Sequence, residues 1–143
     1  MPTMDIYREA IRRTLTQRAG DAPDANAVAE AAISTWQKTA AQIAPVIGVG
    51  GIDVLFNRSL HLTCIAFPWL TIVGDHRDHA ALLANIKAHL ASRDTDIAVE
   101  AGCTLLVTFT ELLISLIGES LVERLLGPVW VPLLPGSEQE NKS

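Results

Sequence analysis

Residues 96–128 read DIAVEAGCTLLVTFTELLISLIGESLVERLLGP, and this stretch decides the fold. No proline interrupts it before Pro128, and Gly127-Pro128 is the usual stop signal of a helix. One helix from Asp96 to Leu126, about thirty residues, is therefore expected. At 1.5 Å rise per residue it spans roughly 45 Å, while a compact chain of this size has a diameter not far above about 35 Å. Two solutions exist: a kink at Gly102 or Gly118, or a projecting rod whose apolar surface is covered by a second subunit. The second is the expectation, a homodimer with Leu113, Leu116 and Trp130 at its interface.

The same helix raises the question of a membrane, because residues 101–118 have the hydropathy of a short span. Glu111 lies near the middle, Thr104, Thr108 and Ser115 accompany it, and no lysine or arginine cluster marks a flank. A central bundle helix is thus the expected reading, and a membrane-inserting helix its rival.

Upstream, Tyr7, Ile11 and Leu15 recur every four positions in an amphipathic helix over 4–18. Residues 20–24 end it and supply capping chemistry for a second helix, 24–44. Ala29, Ile33, Trp36, Ala40, Ile43 and Ile47 give that helix a pairing seam. Pro45 and Gly48-Val49-Gly50-Gly51 predict a bend or break. A third helix, 51–67, is apolar nearly all round and is expected at the bundle centre. Pro68 ends it, Trp69 to Val73 reads as packed loop, and a fourth helix runs from a cap at Asp75 to Ala91. Past Pro128 the tail to Pro135 is too rich in proline for a helix and is expected to dock on the bundle or a partner; 136–143 are expected to be disordered. The whole is an all-α, single-domain bundle of about five helices over 1–135, with a long, largely buried C-terminal helix.

Composition bounds the partners. With 49% hydrophobic and 19% charged residues the chain is not of the disordered class. A net charge of −5 leaves nucleic acid without a basic surface, and Arg8, Arg12, Arg13 and Arg18 read as a solvated helix face. Cys64 and Cys103 sit in apolar runs, which suits buried reduced thiols and a cytoplasmic setting. The N-terminal residues lack the apolar core of a signal peptide.

Polar residues on apolar helices mark where a site would be. Asp53, Asn57 and His61 form one stripe, with Arg58 at its edge, and Thr104, Thr108, Glu111 and Ser115 form another. If the stripes faced each other, Arg58 or His61 would pair with Glu111 and line a pocket for a small polar ligand or acid–base work. The alternative is a structural network or the solvent side of each helix. His76 and His79, three apart, are a candidate metal pair, though two ligands do not make a site, and the first turn of a surface helix often carries such residues. His61 and Cys64 would need His89 and Cys103 to complete a zinc set. The glycines at 48–51 lack the rest of a phosphate-binding motif, and no G-x-S-x-G occurs. The expected function is a regulatory or adaptor role through protein–protein contact, with no cofactor and no evident catalysis. The alternative is a ligand-sensing or enzymatic bundle with its pocket at His61 and Glu111.

Overall fold

The computed structural model describes residues 2–20, 24–70 and 79–130. It contains α1 (Pro2–Ala19), α2 (Ala25–Ala66), a 3-10 turn (Pro68–Leu70), α3 (His79–Ala91), α4 (Thr95–Ile117) and α5 (Glu119–Leu126). Every regular element among the described residues is helical, so the bundle is all-α. Asp75, His76 and the chain beyond Trp130 lie outside the described residues, as does most of the segment read as packed loop.

α2 organises the rest. Asp24 caps it, its carboxylate accepting from the Ala27 amide at 2.8 Å, as the sequence around residue 24 suggests. At Gly48 the backbone leaves helical geometry, with φ 81° and ψ 161°, in a region that residues with a Cβ adopt only under strain. The Trp36 and Phe56 rings lie 4.4 Å apart. A straight helix would separate those positions by about 30 Å, so α2 is a hairpin of two arms, 25–47 and 49–66. The break falls where Pro45 and the glycines predict it.

The first arm is the centre of the bundle. Val28 clusters with Ala98 and Val99. A Cβ at Gly102 would stand 3.4 Å from that of Ala32 and 3.6 Å from Leu15, so α4 and α1 approach the arm closely there. Trp36 meets Phe109 edge-on at 4.7 Å. Residue 28 is thus level with 98, and 32 with 102, which makes α4 parallel to the first arm. α1 runs against α4, since the Cys103 thiol donates to the Arg8 carbonyl and Arg12 pairs with Glu100. α3 lies antiparallel on the arm's other flank, with Lys87 beside Glu30.

Three expectations are corrected. The terminal helix is not one rod: Gly118, at φ 94°, ends α4, and α5 turns back to meet α1. Gly102 stays helical, because its missing side chain serves the close packing on Ala32. The terminal helix is therefore short enough to need no second subunit on account of its length, and α4 buries most of its apolar residues within its own chain. Secondly, the second arm of α2 is not central. It buries Ile52, Phe56, Ser59, Leu60 and Thr63, while Val54 and Ile65 are 69% and 70% exposed. A helix on the flank of a bundle covers one face only, however apolar its other faces are. Thirdly, the arginines are not simply solvated: Arg12 pairs with Glu100, and Arg18 donates to the Val129 carbonyl at 3.2 Å.

Candidate functional site

The two polar stripes do not meet. On the second arm of α2 the core face is Ile52, Phe56, Ser59 and Thr63, so Asn57, Arg58 and His61 turn outward and are exposed, with Asp53 half-buried at the edge. On α4 the core face is Leu106, Phe109, Thr110 and Leu113, which leaves Glu111 on the solvent side. Among the described residues neither Arg58 nor His61 pairs with Glu111, and neither described cavity is lined by His61 or Glu111. Among the described residues the expected pocket is not seen. The hydroxyls buried in the helices mostly serve themselves: Thr39, Ser59, Thr63 and Thr110 each donate at 2.8 Å to the carbonyl one turn back.

The other nominated residues separate as well. His76 and the His79 side chain lie outside the described residues. No group of three metal-ligating side chains occurs among the described residues, and Cys103 is buried against α1, away from any zinc set. Neither cysteine is in a disulfide. Leu113 is wholly buried in its own chain and so has no surface to offer a partner, whereas Leu116 is 58% exposed. Trp130 is half-buried, packed against Tyr7 with ring centroids 5.3 Å apart. Trp36 is core, as expected, and Trp69 lies half-buried under the Arg93 guanidinium at 4.6 Å.

Two features went unread in the sequence. The first is a clasp between α1 and α5. Tyr7, only 3% exposed, directs its hydroxyl at Glu119 (3.1 Å) and Glu123 (2.8 Å). Burial, reinforced by hydrogen bonds to these two carboxylates, raises the phenol pKa well above its ordinary value. Burial likewise pushes up the Cys103 thiol, against the opposing pull of Arg8 and Arg12. Both groups hold their protons at neutral pH and neither is poised as a nucleophile. The carboxylate pair, one turn apart on an amphipathic segment, was the available signal, and the sequence has a single tyrosine to answer it.

The second feature is an apolar surface on the α2 hairpin. Fourteen residues, Thr39 to Ile52, contain no charged side chain, and Val46 and Val49 at the turn are 44% and 70% exposed. Carrying the register of α4 and the first arm forward places Leu116 level with Val46, at the same end of the bundle. From there the exposed residues continue along the second arm as Val54, Arg58, His61 and Ile65, spaced 4, 3 and 4 on one face. Val46, Val49, Val54, Ile65 and Leu116 are thus large apolar side chains left exposed by the described chain. α2 and α4 are both long and apolar enough to cross a membrane by length and composition. α4, however, is mostly buried, and α2 is folded on itself at Gly48. Compared with protein-family models, curated proteins and solved structures, the chain matches none.

Proposed function

We propose that the protein acts through protein–protein contact as a small regulatory or adaptor module in a reducing, cytoplasmic setting, and that its first partner is a second copy of itself. The observation that carries this is the exposed face Val54, Arg58, His61, Ile65. It is self-complementary. In an antiparallel, two-fold pairing of two second arms centred between Arg58 and His61, Val54 of one copy meets Ile65 of the other, and Arg58 meets His61. An imidazole accepts a hydrogen bond from a guanidinium, so the polar pair at the centre is satisfied. A lipid surface suits the face less well, because Asn57, Arg58 and His61 would enter hydrocarbon without partners.

The magnitude is modest. Burying an apolar side chain of this size contributes about 1.5–3 kcal/mol, and two such residues per copy oppose an association cost of at least about 4 kcal/mol. Self-association is therefore weak and belongs at tens of micromolar chain or above. Val54→Glu and Ile65→Lys test the register. Each alone leaves a charge against an apolar side chain and abolishes the dimer, while the double variant sets Glu against Lys twice and restores it. Single variants that still dimerise, or a double variant that does not recover, contradict the pairing.

A further inference from the structure

We propose that the groove between the first arm of α2 and α3 binds a small amphipathic carboxylate, its aliphatic tail in the groove and its headgroup on Lys87. This inference uses neither Val54 nor Ile65 and stands apart from self-association. The groove is open to solvent along its length and offers about 430 Å³, within the range of small-molecule sites. It exists because Ala40, Ala80 and Ala84 present only methyl groups where the two helices would otherwise interdigitate; Ile33, Trp36 and Leu83 form its apolar walls.

The lining has a direction. Among the described lining residues, Lys87 and Gln37 are the polar ones and Lys87 is the one charge. Because α3 runs antiparallel to the arm, Lys87 stands at one end and Ala80 with Ala40 towards the other. Between Ala80 and Lys87 the helix rises about 10 Å, the length of a medium-chain acyl tail. An ammonium at one end of an apolar trough fits a carboxylate on such a tail and rejects the matching amine.

Lys87 is available for this role. Its present partner is Glu30 at 3.3 Å, which lies outside the groove lining, and the two side chains are 40% and 59% exposed. A pair so open to water contributes little, so exchanging Glu30 for an entering carboxylate costs little.

Calorimetric titration with octanoate below its micellar concentration tests the proposal, with octanol and octylamine as controls. Saturable one-to-one binding of octanoate is expected, at least tenfold tighter than octanol, with none of octylamine. Lys87→Gln brings octanoate down to the level of octanol. Ala84→Leu fills the groove from an exposed position, leaves the fold intact by circular dichroism, and removes binding of both. The proposal is overturned if octanoate does not bind saturably, if octanol or octylamine binds as well as octanoate, or if either variant keeps the wild-type affinity.

Discussion

Removing the Tyr7 hydroxyl separates the clasp from the packing around it. Tyr7→Phe keeps the ring against Trp130, at 5.3 Å, and deletes only the donor shared by Glu119 and Glu123. A hydrogen bond to a charged group contributes about 1.5–3 kcal/mol, and because both glutamates are exposed the lower part of that range applies, about 1.5–2 kcal/mol. For a chain of this length that lowers Tm by roughly 4–8 °C. The pH dependence is more specific. The folded phenol keeps its proton above the pH near 10 at which an unfolded chain releases it. The contribution of Tyr7 is therefore complete below about pH 10 and declines as pH rises beyond it, by up to about 1.4 kcal/mol per pH unit. Tyr7→Phe flattens this decline. Since Tyr7 is the only tyrosine in the sequence, tyrosinate absorbance near the red edge of the aromatic band reports this one group. The expected record is no ionisation until the protein unfolds in alkali. A reversible titration of the folded protein with a midpoint near 10 would refute the clasp.

Three further substitutions probe the bundle. Thr35 is buried and its hydroxyl has no hydrogen-bond partner among the described residues, so Thr35→Val, of the same shape, is expected to stabilise the protein by about 1 kcal/mol in urea denaturation; a loss of that size would reveal a partner for the hydroxyl. Gly48→Ala meets no atom within 4 Å, so its expected cost of about 1–3 kcal/mol comes from the backbone alone, and an unchanged denaturation midpoint would show that the hairpin does not need its positive φ. Leu113→Lys unfolds the chain, whereas Leu116→Lys leaves thermal stability within about 0.5 kcal/mol of wild type, because the first side chain is wholly buried and the second largely exposed. Equal effects of these two lysines would contradict the placement of α4.

Local signals carried much of the architecture. The spacing of Tyr7, Ile11 and Leu15, the cap at Asp24 and the interruption at Pro45 to Gly51 each act within a turn or two, and each is realised. The pairing of distant elements was not legible in the same way. Gly102 and Gly118 look alike in sequence, yet one is a close contact and the other a break, and only the position of Ala32 and Leu15 tells them apart. The polar stripes left two readings open for a related reason. A helix period says which residues share a face, as Asp53, Asn57 and His61 nearly do, but not whether that face turns to a neighbour or to water. Overall apolarity misled too: the second arm of α2 was placed at the centre, although the protein uses one of its faces as core and leaves another as surface. The spacing of Tyr7 reveals its buried ring but not the two glutamates that its hydroxyl reaches.

The claim that matters most is that the exposed face of the second arm joins two copies. Sedimentation equilibrium of the wild-type chain, from low to several hundred micromolar, addresses it directly. The mass is expected to climb with concentration from 15.4 kDa towards twice that value, and to stay at the lower limit in Val54→Glu. A wild-type chain that remains at 15.4 kDa throughout would contradict it.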